Sequence, residues 1–261
     1  MNNRLHLTRS GMRYCLTAGV LWATTFLESE AQSVATLDSA KKTAPSRYNW
    51  RLTTRLHSLG YFSFTGRLNS SNPAADANFT IENKQWGATV IKVSDLLDHR
   101  TDNNFAIILL YRNFRIGKRW TITPNAAGIL EQQSGVADKG SDLSFLLITS
   151  YKISPTLTID HTSIFTNLVF DRAEKDWINR VRLLYSKKHW DVTLLAWQNN
   201  KVLDPTEYYS GGVTVYYSRV PVSPHVLLSA GLTGVKMPHS SHPDEFPPRN
   251  GILLTLVCVV H

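Results

Sequence analysis

Cysteine is scarce in this sequence, and the familiar motifs of metal and nucleotide chemistry are missing. The chain has two cysteines, Cys15 and Cys258. It has no Cys-x-x-Cys pair, no His-Glu-x-x-His pair, no phosphate-binding loop and no dinucleotide fingerprint. A disulfide framework, a zinc site of closely spaced ligands and a nucleotide-binding domain are therefore not expected, and no cofactor is predicted.

A long apolar run is also lacking. The stretch from Tyr14 to Leu27 is shorter than the roughly 20 residues that a spanning helix needs. Several arginines and no acidic residue precede this stretch, and Ser29-Glu30-Ala31 after it is a small-x-small cleavage site. The pattern predicts a cleaved secretory signal at residues 1–31 and an exported protein.

The rest of the chain is long enough for one sizeable domain of the all-β class. Residues 32–46 are small and polar and end next to a proline, which predicts a flexible periplasmic lead-in. Residues 47–261 are then the folded domain. Because Cys15 lies in the signal, Cys258 has no partner for an intramolecular disulfide.

The chain is basic, with a net charge of +8. Its basic residues are dispersed and cluster only as pairs such as Lys41-Lys42 and Lys187-Lys188. An exported protein rarely meets nucleic acid, so no nucleic-acid partner is expected. Anionic headgroups of outer-membrane lipids, or small anionic solutes in a lumen, are the preferred explanation of the charge.

After residue 46 the hydropathy pattern has a period of two residues, and no segment shows a sustained helical period. In the first such segment Trp50, Leu52 and Leu56 fall on one face, while Arg51 and Arg55 fall on the other. A strand between hydrocarbon and a polar interior alternates in this way, and so does a strand of a soluble sandwich. Strand length and turn pattern decide between the two.

The predicted strands are long. Most of them reach the about 9–11 residues that a tilted strand needs to cross a bilayer, and exceed the about 5–6 residues typical of soluble sheets. They are Arg47–His57, Gly60–Leu68, Lys84–Val93, Phe105–Ile116, Arg119–Leu130, Leu143–Ile153, Thr156–Leu168, Trp177–Lys187, His189–Asn200, Glu207–Arg219, Pro224–Lys236 and Asn250–Val260.

The connections between these strands alternate in length. Tight turns are predicted at Gly117-Lys118, Ser154-Pro155, Lys187-Lys188 and Val220–Ser223, and longer polar loops at Glu131–Asp142, Val169–Asp176, Lys201–Thr206 and Met237–Arg249. Short periplasmic turns and long outside loops are typical of bacterial barrels. The predicted fold is an all-β, transmembrane, antiparallel up-and-down β-barrel of about twelve strands, with ten as the alternative, in the outer membrane of a Gram-negative bacterium.

A barrel of this width leaves room for a narrow lumen. The alternation assigns Arg51, Arg55, Arg180 and Arg182 to its lining. These residues predict a narrow, anion-leaning path, or an interior mostly filled by bulky side chains such as Trp197. The leading functional hypothesis is a non-enzymatic, porin-like barrel, either a narrow channel or a structural and surface-interaction protein of open oligomeric state.

One hairpin carries polar residues on the face predicted to meet lipid. His161 and Ser163 share a face with apolar neighbours on one strand, and Asn179 does so on the next. Polar groups in hydrocarbon are costly, so these three residues lie near the membrane interface or have a function. A serine beside an imidazole and an orienting polar group is the arrangement of a serine hydrolase.

The stretches His161-Thr162-Ser163 and Trp177-Ile178-Asn179-Arg180 resemble the catalytic hairpin of outer-membrane phospholipase A. The resemblance covers this hairpin alone. It implies a calcium-assisted phospholipid acyl hydrolase with Ser163 as nucleophile, His161 as base and Asn179 as orienter. This is the alternative hypothesis; the leading one treats the three side chains as interfacial residues of a non-catalytic barrel.

Histidines elsewhere give no metal site. His239 and His242 lie in a Pro- and Ser-rich loop near Asp244 and Glu245, but their spacing matches no transition-metal motif. We expect these side chains to be solvated and predict no bound metal.

Overall fold

The computed structural model describes residues 48–64, 66–98, 104–132, 142–169, 175–202, 207–241, 243 and 249–261. The predicted signal and lead-in lie outside the described residues. Among the described residues, no helix is long and apolar enough to cross a membrane.

The described chain forms fifteen β-strands. They are β1 (Asn49–His57), β2 (Gly60–Phe62), β3 (Arg67–Ser70), β4 (Ala74–Glu82), β5 (Trp86–Asp95), β6 (Phe105–Arg112), β7 (Phe114–Ile116), β8 (Trp120–Gln132), β9 (Leu143–Ser154), β10 (Leu157–Phe165), β11 (Asp176–Lys187), β12 (Trp190–Lys201), β13 (Glu207–Ser223), β14 (Val226–Ser240) and β15 (Gly251–Val260).

These strands close into an antiparallel barrel. β1 pairs with β15 on one side and with β4 on the other, and β6 pairs with β8 to complete the ring. β6 and β7 both pair with β8 and are two parts of one wall strand, interrupted at Asn113. The thirteen segments of the sheet therefore make twelve wall strands. The predicted fold class is confirmed.

One predicted wall strand was wrong. Gly60–Leu68 was expected to be the second strand of the wall, but β2 and β3 form a separate two-stranded sheet, and the second wall strand is β4. Every residue of β2 is buried, because this hairpin has protein on both sides. β4 was missed since it follows turn-like residues and opens with two small alanines.

A second correction concerns a turn. Val220–Ser223 was predicted to be tight, but these residues belong to β13, and the turn falls at Pro224 and His225. The pairing of β13 with β14 is irregular between Tyr217 and Val220 and again before Ser223. Pro221 has no N–H to donate, so such irregular pairing is where a strand tolerates a proline.

The outer face of the wall is apolar, as β15 illustrates. Leu254 is 63% exposed, whereas its neighbours Leu253 and Thr255 are each 1% exposed. Large exposed side chains recur on the other wall strands, among them Leu56, Phe79, Val90, Leu110, Phe145, Ile159, Val181, Leu194, Val213 and Leu232. A closed barrel leaves no unpaired edge, so this apolar face fits a hydrocarbon environment.

The two ends of the barrel differ. One end, called here the short-turn end, carries the connections at 83–85, 117–119, 155–156, 188–189 and 224–225. Exposed aromatic residues lie next to these turns, namely Tyr48, Trp50, Trp86, Trp120, Tyr185, Trp190 and Tyr217. Aromatic girdles of this kind mark membrane interfaces. The other end, called the long-loop end, carries the longer connections and the segment from Ser58 to Pro73.

Candidate functional site

The hairpin β2–β3 lies inside the barrel. Its Phe62 ring packs edge-on against Phe105 of β6, with 4.8 Å between ring centroids. Leu68 packs with Val235 and Leu253, which are buried on the inner faces of β14 and β15. Since these wall strands lie on different sides of the ring, the hairpin reaches across the lumen and narrows it.

A glycine forms the hairpin's turn. Gly66 has a φ of 69°, which favours glycine, and its N–H donates to the Phe62 carbonyl at 2.8 Å. A Cβ at this position would lie 2.5 Å from Cδ2 of Leu195, a buried residue of β12. The turn therefore rests against the inner wall opposite its point of entry.

Arg180 anchors the hairpin from β11. Its side chain is 1% exposed. The guanidinium donates to the carbonyl of Phe64 and, at 3.0 Å, to Oγ1 of Thr162. It also lies over the Phe64 ring, 4.5 Å from the centroid, as a cation–π contact. The positive charge of Arg180 is thus engaged by the hairpin.

A buried polar cluster makes a second anchor. Arg55 donates to Ser63 of the hairpin segment at 2.5 Å and to Asp76 of β4 at 3.1 Å. His57 contacts the same carboxylate through Nε2 at 3.0 Å, and its Nδ1 lies 2.8 Å from Oγ1 of Thr255. The cluster joins β1, β4, β15 and the hairpin in the interior.

The other two predicted lumen arginines, Arg182 and Arg51, differ in their hydrogen bonding. Arg182 forms a bidentate ion pair with Asp160, with Nε–Oδ1 at 3.1 Å and Nη2–Oδ2 at 2.8 Å. Arg51 is half-buried, and its Nε and Nη2 have no hydrogen-bond partner in the described structure. Carboxylates therefore pair with Arg55 and Arg182 inside the barrel.

An apolar cavity lies between the hairpin and the wall, towards the long-loop end. Its volume is about 180 Å³. Its lining includes Phe62, Phe64, Ile91, Phe105, Leu109, Ala127, Ser144, Leu146, Ile164, Ile178, Trp197 and Tyr208. Sequence reasoning missed this cavity. The available signal was the apolar character of both faces of the strands near the long loops, as at Ile164 and Phe165.

The structure brings His161, Ser163 and Asn179 together on the outer face. Ser163 and Asn179 are paired across β10 and β11, and the serine hydroxyl donates to Asn179 Oδ1 at 3.1 Å. His161 Nε2 lies 3.3 Å from the same oxygen. Among these described residues no hydrogen bond joins Ser163 to His161, which is the contact that a nucleophile and its base require.

This polar group lies near the long-loop end of the β10–β11 hairpin. The next outward pair along the two strands is Phe165 and Trp177, whose rings are stacked with centroids 6.1 Å apart. This pair ends the hairpin ladder at the long-loop end. Ser163 and Asn179 lie one outward pair from this end and His161 lies two pairs from it. Polar side chains near the headgroups have a small energetic cost, so an interfacial position stays the prediction for these residues.

In the part of the chain that the structure describes, no three His, Cys, Asp or Glu side chains are grouped to hold a metal ion. His239 lies 3.8 Å from Glu207. His242, Asp244 and Glu245 lie outside the described residues, so the predicted solvation of that loop stays a prediction.

Comparisons with known proteins show the fold. No family model matches the sequence, and no curated protein matches it. A solved NanC porin is similar with a TM-score of 0.53 and 8% identity, over 82% of this chain and all of that one. The outer-membrane channel DcaP of Acinetobacter baumannii has a TM-score of 0.37 and 10% identity, over 85% of this chain and 77% of that one. The first of these matches shows that the chain shares the closed-barrel fold of the NanC porin.

Proposed function

We propose that this protein is a non-enzymatic outer-membrane channel, narrowed by its own hairpin and delivered by a signal at residues 1–31. The observation that carries the proposal is a closed barrel with an apolar outer face whose lumen is crossed by β2–β3. Lipids surround the wall, and small solutes are the partners inside. A hairpin across a twelve-stranded barrel limits passage to small molecules.

The ion pairs inside the barrel affect the ion selectivity that we expect of the channel. Because Arg55 and Arg182 are paired with Asp76 and Asp160, they add little net charge to the lumen. The anion preference then comes mainly from Arg51, and we expect it to be weak. Conductance of purified protein in planar bilayers tests the proposal: discrete, small current steps are expected. Absence of steps from protein that has inserted in folded form would contradict it.

Replacing Arg182 by Gln is expected to shift the permeability ratio severalfold towards cations. The substitution leaves the Asp160 carboxylate inside the lumen without its cationic partner. Reversal potentials in a salt gradient measure the shift. Lys92→Gln is the control and should leave the ratio unchanged, because Lys92 lies between the inward Ile91 and Val93 and is therefore on the outer face of β5. An equal shift in both variants would place Arg182 outside the conducting path.

Phospholipid hydrolysis separates this proposal from the hydrolase alternative. The Ser163 hydroxyl is held by Asn179, so we expect no fatty-acid release by refolded protein in mixed micelles, with or without calcium. Release that requires calcium and disappears in Ser163→Ala would overturn the non-enzymatic proposal. His161→Ala in the same assay would then test the base.

A further inference from the structure

We infer that the cavity between the hairpin and the wall is a binding site for a small aromatic molecule that carries one hydrogen-bond acceptor. The inference concerns binding and goes beyond the proposed channel, since it holds whether or not the barrel conducts. Three features carry it: the apolar lining, the volume, and two buried polar groups without partners.

The lining is unusual for the lumen of a porin-like barrel, which is ordinarily polar. Here the inward residues of β5 to β14 near the long loops, together with Phe62 of the hairpin, form one buried apolar cluster, whereas β1 and β4 carry the polar cluster of Arg55, His57 and Asp76. Its members include Phe62, Ile91, Val93, Phe105, Leu109, Ala127, Leu146, Ile164, Ile178, Leu195, Trp197, Tyr208 and Met237. Towards the short-turn end the buried side chains are polar instead, as Thr158, Asp160 and Arg182 show. The barrel interior therefore has an apolar compartment next to a polar one.

The volume fits a ring-sized ligand. A dry apolar cavity of about 150 Å³ is large enough to bind benzene. The cavity here, at about 180 Å³, has room for one substituted ring. Phe62 and Phe64 of the hairpin and Trp197 of the wall present aromatic surfaces to it. Rings pack well against such surfaces, both edge-on and offset.

Two polar groups of the lining lack partners. The Nε1–H of Trp197 and the Oγ of Ser144 are buried, and neither has a hydrogen bond in the described structure. Trp197 is 3% exposed. A buried indole N–H ordinarily finds an acceptor, and leaving it without one is costly. A carbonyl or ether oxygen on the ligand would accept a hydrogen bond from either group. The ligand class is therefore a small aromatic molecule with an oxygen acceptor.

Acetophenone is the probe that we would use, with α-methylstyrene as its isostere without the acceptor. Equilibrium dialysis against protein in lipid nanodiscs measures binding, with empty nanodiscs as the baseline for partition into lipid. We expect saturable binding of one acetophenone per chain, about two- to tenfold tighter than that of α-methylstyrene because one hydrogen bond is gained. Trp197→Phe should reduce this preference.

Neighbouring alanines on β8 give a matched pair of variants. Ala127 is buried and lines the cavity, whereas Ala126 is exposed on the outer face. Ala127→Met fills the cavity and should weaken acetophenone binding at least tenfold, while Ala126→Met should leave it unchanged. If Ala127→Met does not fold, Ala127→Val should give a partial loss.

Uptake equal to that of empty nanodiscs would overturn the inference, and so would equal binding by the Ala126 and Ala127 variants. Conductance of the same preparations keeps this result separate from the proposed function. A conducting barrel that does not bind acetophenone contradicts the inference alone, and a barrel that binds acetophenone but does not conduct contradicts the channel alone.

Discussion

Removing the hairpin is expected to raise the single-channel conductance severalfold. The variant replaces residues 58–73 by Asn-Gly, a dipeptide that favours a two-residue hairpin turn. His57 and Ala74 are the last paired residues of β1 and β4, so a tight turn joins them directly. β2 and β3 pair only with each other among the described strands. The wall therefore keeps its ladder while the lumen loses its obstruction.

The comparison uses wild-type protein and the shortened variant in the same bilayer. Replacing Pro224-His225 by Asn-Gly is the control, because this turn lies at the short-turn end and contributes nothing to the lumen. Its conductance should match that of the wild type. A folded, shortened variant that conducts no better than the wild type would show that the hairpin does not limit passage.

Asp76→Ala is expected to lower the free energy of unfolding by about 3–5 kcal/mol, the cost of leaving buried charge unpaired. The Asp76 side chain is 1% exposed and serves both Arg55 and His57. Its loss removes the buried carboxylate that Arg55 and His57 share. Urea-induced unfolding in lipid vesicles, followed by tryptophan fluorescence, measures the change.

Asp191→Ala is the matched control, since Asp191 pairs with Arg219 where both side chains are 30% exposed. Water screens such a pair, so a smaller loss of about 1 kcal/mol is expected. Equal losses in the two variants would mean that water reaches Asp76, and that the cluster around it does not hold the interior together.

The fold could be predicted to a large extent because its signal is local. The two-residue alternation of β15 and of the β10–β11 hairpin is visible in consecutive residues. The predicted count of twelve strands was correct because the misassigned Gly60–Leu68 compensated for the missed β4. The hairpin could not be predicted in the same way. Gly60–Leu68 alternates well enough for a wall strand, and only contacts with distant β6, β11 and β12 decide that it folds inward.

The site was predictable only in part, because its contacts join residues that are far apart in the sequence. Alternation was enough to propose an inward side for Arg180 and Arg182, and the structure buries both. Their partners depend on register: Asp160 stands opposite Arg182, and Phe64 reaches Arg180 from 116 residues away. The cavity exists only once the hairpin has folded against the wall, so no single segment of the sequence predicts it.

Disulfide formation between hairpin and wall tests the central claim most directly. A Cβ on Gly251 would lie 3.1 Å from Cδ2 of Leu68 and thus contact this side chain, so we expect Leu68→Cys with Gly251→Cys, in a Cys258→Ser background, to bring two thiols together. We predict near-complete oxidation of the membrane-inserted protein. Leu68→Cys with Ile252→Cys should not cross-link, because Ile252 is 72% exposed on the outer face. Cross-linking of both pairs, or of neither, would contradict a hairpin held inside the barrel.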